Sequence, residues 1–319
     1  MSDSVGRDAS SAVNRPIFIQ GVLGRSGTNY LAQLLALHPH CRLSAIPEDW
    51  LLAESHHLVR YTTRVAARWS RDPGWDLPPG LEQRLLTKLG EGMLALVGEG
   101  AEGRRVVTKT PNVQWLGNFF QLFPQASLLV LVRDGRSVAE SARRSFGDDL
   151  FQVARWWGWA ARQILLFDRD NRDRRNYRLV RYEDLVREPE AEMRAILQAA
   201  DLDVDAFDFE RIHDLPVFGS STFRNDSGEW QWKTMPRTDG AVRLDRWKGW
   251  SRAEHERFNR IAGEALSKLG YEPEPTGGSR LSRLLRVGLW ATLDGLQRAR
   301  TGLRDVIAER APSRLGRTR

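Results

Sequence analysis

Ile17-Phe18-Ile19-Gln20-Gly21-Val22-Leu23-Gly24-Arg25-Ser26-Gly27-Thr28-Asn29-Tyr30-Leu31 decides the fold. An apolar run meets a Gly-rich turn, and the turn opens into a helical pattern. A strand that ends this way points successive backbone N–H groups, and the positive end of the helix dipole, at one spot where an anion fits. Arg25 adds a full positive charge, and Ser26 and Thr28 add hydroxyl donors. The turn does not match G-x-x-x-x-G-K-[ST], because no G-K-[ST] follows Gly21 or Gly24. It is built for a phosphate-like group without the usual lysine and magnesium-binding hydroxyl.

The pattern repeats along the chain. Strands are expected at about 16–22, 105–109, 128–132 and 177–182. Helices are expected at about 28–37, 48–70, 81–97, 112–122, 137–145, 150–168, 189–200 and 251–269, the last ending at Gly270. Leu128-Leu129-Val130-Leu131-Val132 is apolar without alternation, as in a strand buried on both faces of a parallel sheet. Strands alternating with helices give an α/β fold, and ligands then bind beyond the carboxyl ends of the strands. Residues 216–248 read as a long polar loop carrying tryptophans.

Composition sets further bounds. Cys41 is the only cysteine, so no internal disulfide forms, which suits a reducing compartment. Residues 1–15 are polar, read as disordered, and lack the apolar core of a signal peptide. No apolar run approaches a membrane span. These features together predict a cytoplasmic protein. Residues 280–319 carry ten Arg against Asp294, Asp305 and Glu309, an excess equal to the whole net charge of +7. The body is therefore electrically balanced, and a nucleic-acid-binding body is not indicated. Leu281, Leu284, Leu285, Leu289, Leu293 and Leu296 recur at helical spacing in that basic tail. Such a helix either lies peripherally on an anionic membrane or packs on its own domain or a dimer partner.

A second anion-binding element follows the 128–132 strand. Arg133 leaves the strand end in Arg133-Asp134-Gly135-Arg136, and Ser141 lies eight residues on in the next helix. Two such elements on neighbouring strand ends suit a ligand with two separated phosphate-like groups. With these motifs the chain resembles the sulfotransferases that use 3′-phosphoadenosine 5′-phosphosulfate. Gly24-Arg25-Ser26-Gly27-Thr28 resembles their 5′-phosphosulfate loop, and Arg133 with Ser141 resembles their 3′-phosphate element. Arg181-Tyr182-Glu183-Asp184-Leu185 and the pattern Arg246-Trp247-Lys248 to Leu269-Gly270-Tyr271 are similar to further family segments.

The resemblance covers about residues 16–273. It implies a P-loop-NTPase-like three-layer α/β domain at 16–275 with a helical insertion at about 48–100, and the basic amphipathic extension at 276–319 lies beyond it. It also implies metal-free sulfuryl transfer to a hydroxyl or amine, with carbohydrates and glycolipids among the candidate acceptors. Arg25, Ser26, Gly27, Thr28 and Asn29 would hold the 5′-phosphosulfate, and Arg133 and Ser141 the 3′-phosphate. Tyr182 would lie near the adenine or serve as a core aromatic at the strand end. Lys233, Arg237, Arg243, Arg246 and Lys248 lie in the polar loop, and some of them, with Arg246 the candidate named, would reach the 3′-phosphate.

Lys109-Thr110-Pro111 stands where the cytosolic branch has K-T-H, so Pro111 replaces that branch's catalytic His. Lys109 would steady the transferring sulfonate or is an exposed strand-end lysine. The carbohydrate- and tyrosine-modifying branches use a Glu after the first helix instead, and Glu48 fits that place, with Asp49 as its rival. His56-His57 is read as no metal pair, since adjacent helical residues face different ways and no third ligand is placed beside them. Trp156, Trp157 and Trp159 read as core or interface, and Trp230, Trp232, Trp247 and Trp250 as possible stacking surfaces. The rival functions are an ATP-dependent kinase on a related fold, disfavoured by the absent G-K-[ST], and a non-catalytic membrane- or glycan-binding protein.

Overall fold

The computed structural model describes residues 15–72, 74–224, 230–235 and 244–275; side chains within 217–224 and 230–235 are not among the described features. The expected N-terminal tail, apart from Arg15, and the basic amphipathic segment lie outside the described residues. The chain divides into two compact units, Met1–Trp250 with Phe258–Pro273, and Ser251–Arg257 with Glu274–Arg319. Every residue discussed as part of the site belongs to the first.

The elements in chain order are β1 (Ile17–Gly21), α1 (Thr28–Ala36), β2 (Cys41–Leu43), α2 (Ser55–Trp69), α3 (Leu81–Val97), β3 (Arg105–Thr110), α4 (Phe119–Leu122) and β4 (Ser127–Val132). Then come α5 (Gly135–Phe146), α6 (Leu150–Asn171), β5 (Tyr177–Arg181), α7 (Tyr182–Arg187), α8 (Pro189–Ala199), β6 (Val217–Arg224), β7 (Trp230–Met235) and α9 (Arg252–Lys268). Five strands form a parallel sheet in the order β2-β3-β1-β4-β5.

Side chains alternate across this sheet and build two cores. Phe18, Leu128, Val130 and Val132 pack with Phe119, Trp157 and Ile164 from the helices on one face. Ile17, Ile19, Leu129, Leu131 and Val180 pack with Leu31, Leu34, Leu35, Ile196 and Leu197 on the other. The result is the expected three-layer α/β architecture, with both sheet faces covered. Because β1 is central, its carboxyl end lies between those of β3 and β4, and this is where the signature loops meet.

The structure corrects four readings. The segment read as helical from 48 becomes helix only at Ser55, because residues 48–54 are tied to the end of β3: Asp49 N–H donates to the Lys109 carbonyl and Trp50 N–H to Thr110 Oγ1. The helix read at 112–122 shrinks to a short 3₁₀ turn and the four residues of α4. Residues 216–248 are not all loop, since β6 and β7 pair antiparallel within them. Cys41–Leu43, read as no element at all, adds an edge strand to β3.

Candidate active site

The loop between β1 and α1 is set by two glycines. Gly27 has φ +101°, and a Cβ there would come within 2.4 Å of the Tyr182 ring. A Cβ on Gly21 would meet Ser26 Oγ at 2.4 Å. Only glycine allows this turn to close onto what lies beneath it. No side chain caps the start of α1, so no side chain competes for its first N–H groups. Pro111 sits against this loop: its Cα would lie 3.3 Å from a Cβ on Gly21. The position where the cytosolic branch carries its His is thus used here for packing.

Arg25 joins the two anion-binding elements. Its Nε donates to Ser141 Oγ at 3.0 Å, across 116 residues of sequence. Arg133 Nη1 donates to the Arg25 carbonyl at 3.0 Å, and its guanidinium lies 4.3 Å from the centroid of the Tyr182 ring. Tyr182 is therefore a shared floor under Gly27 and Arg133, with its edge toward Tyr30. Burial, then the nearby charges of Arg133 and Arg246, bring the Arg25 pKa down to about 10. Three guanidinium groups thus crowd one spot. Ser26 Oγ and Arg133 Nε are buried there without a hydrogen-bond partner among the described residues. Buried donors without partners are rare, and mutually repelling cations with unused donors suit a polyanion.

Neighbouring residues hold this arrangement in place. Trp157 Nε1 donates to the Arg133 carbonyl at 3.0 Å, and a Cβ on Gly135 would come within 2.5 Å of the Trp157 ring. The glycine after Asp134 is thus required by that tryptophan. Arg136 is not available to a ligand as a simple surface cation. It is buried, forks onto the Asp134 carboxylate, and lies 3.6 Å from the centroid of Trp247. That stack brings the residue beside Arg246 onto the site, and Ser137 Oγ donating to the Leu244 carbonyl fixes the same segment. Glu183 accepts from Asp134 N–H at 3.0 Å and from the Tyr271 hydroxyl at 2.7 Å. The two family-like segments at 181–185 and 269–271 are therefore clamps on the β4 end. Burial raises the pKa of Glu183 and of Tyr271.

On the other side of β1 the candidate base residues separate. Both carboxylate oxygens of Asp49 are engaged: its Oδ1 accepts from Leu51 N–H at 3.0 Å and its Oδ2 from Thr108 Oγ1 at 2.8 Å. Glu48 instead faces Lys109, with Oε1 3.6 Å from Nζ. Lys109 is largely shielded, and burial lowers its pKa while Glu48 and Asp49 pull it back up. Lys109 is therefore not an exposed strand-end lysine.

Some expected features fall elsewhere. Trp157 is core, whereas Trp156 and Trp159 are exposed. Arg237 and Arg243 lie outside the described residues, as does the side chain of Lys233. The His56 and His57 rings, expected to diverge, have centroids 3.8 Å apart. Glu54, in the residue before α2, brings a carboxylate within 4.8 Å of both. Both histidines lie in the first turn of α2, and the carboxylate comes from the residue before it, with Glu54 Oε2 3.3 Å from His57 Nε2.

Residues 16–206 match the profile of the Sulfotransferase family. The chain belongs to that family. It is 28% identical over 202 residues to protein-tyrosine sulfotransferase A of Caenorhabditis elegans, covering 59% of this chain and 50% of the relative. The chain thus spans about half the length of that curated relative. Among solved structures, it is similar to the sulfotransferase domain of the Synechococcus PCC 7002 olefin synthase, at 24% identity and TM-score 0.47, covering 82% of this chain and 96% of that one. It is also similar to sulfotransferase STF9 of Mycobacterium avium, at 15% identity and TM-score 0.44, covering 85% and 81%. Among the described residues, no helix is long and apolar enough to cross a membrane.

Proposed function

We propose that this protein transfers the sulfuryl group of 3′-phosphoadenosine 5′-phosphosulfate to an acceptor hydroxyl. The observation that carries the reading is the contact between Arg25 and Ser141. It joins the anion-binding elements of the β1 loop and the β4 end into one continuous cationic site, as a ligand with two phosphate-like groups requires. The residues present fit such a ligand, because Ser26 Oγ and Arg133 Nε are buried donors awaiting a partner.

The donor, when bound, supplies an activated sulfuryl group on a good leaving phosphate. Arg25 and the loop N–H groups of Ser26 to Asn29 hold the 5′ end, where negative charge grows as the S–O bond breaks. Arg133, Ser141 and Arg246 hold the 3′-phosphate. Glu48 accepts the acceptor's proton as its oxygen bonds to sulfur, leaving adenosine 3′,5′-bisphosphate and a sulfated product. Asp49 is a poorer base, since both its oxygens already accept hydrogen bonds. Lys109 holds Glu48 in place and offers positive charge to the moving sulfonate.

A sulfuryl-transfer assay on the wild type and Glu48→Gln tests the assignment. Donor-dependent product formation that collapses in Glu48→Gln, with nucleotide binding intact, supports it. Equal turnover in both would remove Glu48 from the mechanism.

A further inference from the structure

Two exposed tryptophans follow directly on the proposed base and its lysine. Trp50 lies two residues after Glu48, and Trp115 six residues after Lys109. Trp50 is 46% exposed and Trp115 44% exposed. Both have left-handed backbones, with φ +51° and +59°. A bulky residue in that region is a true outlier, and the conformation persists only when its surroundings impose it. Here the strain is not offset by burying the indole. The other described non-glycine residues with positive φ outside the nucleotide loop are Glu102 and Asp201, polar residues in turns.

Both residues are fixed through their backbones, and Trp115 also through its ring. Trp50 N–H donates to Thr110 Oγ1 at 3.1 Å, and its carbonyl accepts from Ala53 N–H at 3.0 Å. The Trp115 carbonyl accepts from Asn118 N–H at 2.9 Å, and Asn118 Nδ2 donates to Ser55 Oγ at 3.0 Å. The Trp115 ring stacks on His56, with centroids 4.6 Å apart and planes 20° from parallel. Thr110 thus ties the Trp50 backbone to the end of β3, the strand that carries Lys109, and Ser55 ties the Trp115 turn to the start of α2 through Asn118.

Building on Glu48 as the base, we propose that Trp50 and Trp115 are the acceptor platform, and that the acceptor is a saccharide. A half-exposed indole among polar groups suits a ligand with one apolar face and a hydroxylated edge. A pyranose ring has that character, and stacking on an indole leaves its edge hydroxyls uncovered and free to react. A phenol or an alkyl alcohol gains more from an enclosed apolar pocket than from an open rim.

The test measures transfer from 3′-phosphoadenosine 5′-phosphosulfate to methyl hexopyranosides and disaccharides, with 4-nitrophenol and 1-butanol as the other acceptors. It compares wild type, Trp50→Gly, Trp115→Gly and the two Trp→Phe variants. Sugars are the expected acceptors. Each glycine variant raises sugar KM about tenfold, equivalent to about 1.4 kcal/mol, while kcat and adenosine 3′,5′-bisphosphate affinity stay as in wild type. Phenylalanine restores most of the loss. Trp50→Gly melts no lower than wild type, because glycine adopts positive φ without strain. Transfer to 4-nitrophenol or 1-butanol but not to sugars overturns the saccharide. An unchanged sugar KM, or a lower Tm in Trp50→Gly, overturns the platform. Intact bisphosphate binding with no transfer to any of these acceptors overturns the saccharide while sparing the donor assignment. Absent bisphosphate binding defeats the donor assignment itself.

Discussion

Gly27→Ala is the sharpest perturbation of the nucleotide loop. Two penalties combine. An L-residue in the left-handed region costs about 1–2 kcal/mol, and the new methyl would sit 2.4 and 2.5 Å from two atoms of the Tyr182 ring. That ring cannot easily yield, being buried beneath Arg133 and edge-on to Tyr30. Overpacking of this kind costs about 1–3 kcal/mol, so the total is about 2–5 kcal/mol. The loop has two ways to respond. If it keeps its shape, the whole penalty falls on stability and Tm drops by roughly 2–4 °C per kcal/mol. If it relaxes, the Arg25 carbonyl moves off Arg133 and Arg25 off Ser141, and nucleotide affinity falls about tenfold for each 1.4 kcal/mol. Calorimetric titration with adenosine 3′,5′-bisphosphate and a thermal melt on the same sample capture both. Gly24→Ala is the control, since nothing lies within 4 Å of its Cβ position and its φ is not positive. Gly27→Ala matching wild type in both Kd and Tm would refute the reasoning.

Other substitutions separate chemistry from scaffolding. Glu48→Gln should lower kcat about 10²–10⁴-fold, as expected for loss of a general base, with bisphosphate Kd unchanged in calorimetry. Asp49→Asn should instead show in the melt, at about 1–3 kcal/mol, because its carboxylate secures Leu51 N–H and Thr108. Tyr271→Phe should lower the denaturant midpoint by a similar about 1–3 kcal/mol, since Glu183 Oε2 loses its buried donor. Lys109 has a lowered pKa, chiefly from burial, so its charge should vanish at lower pH than an ordinary lysine's. Glu48 opposes that shift, so Glu48→Gln should lower the Lys109 pKa further. NMR titration of the lysine Nζ resonances in the two proteins checks the direction, and an upward move would contradict it.

The cationic cluster proposed to bind the nucleotide was legible because its residues are sequence-local. Gly27, Arg25, Arg133 and Ser141 sit in short runs whose types follow from backbone geometry and charge. The meeting of Arg25 with Ser141 needed only the inference that two strand ends are neighbours, which β1–β4 pairing bears out. The different surroundings of Glu48 and Asp49 were not legible, since adjacent carboxylates have the same chemistry. What sets Asp49 apart is its bonds to Thr108 and Leu51, one of them a remote strand residue. The Arg136–Trp247 stack and the Glu183–Tyr271 bond join residues far apart in sequence, so no local pattern reports them. The hairpin did leave a signal. Trp230 and Trp232 alternate with Gln231 and Lys233, and the residue types Asn225, Asp226, Ser227 and Gly228, common in turns, precede them in the sequence. The polarity of the segment masked that period-two pattern. Residues 48–54 carry helix-compatible side chains, and tertiary hydrogen bonds to β3 overrode that propensity.

The central claim is that one cationic site grips both ends of a nucleotide bisphosphate. Calorimetric titration of wild type and Arg133→Ala with adenosine 3′,5′-bisphosphate and with adenosine 5′-phosphate tests it most directly. Wild type should bind the bisphosphate at least about tenfold more tightly, a difference of about 1.4 kcal/mol, and Arg133→Ala should abolish that advantage while still binding the 5′-phosphate. Equal affinity of wild type for the two nucleotides would contradict the two-anion site.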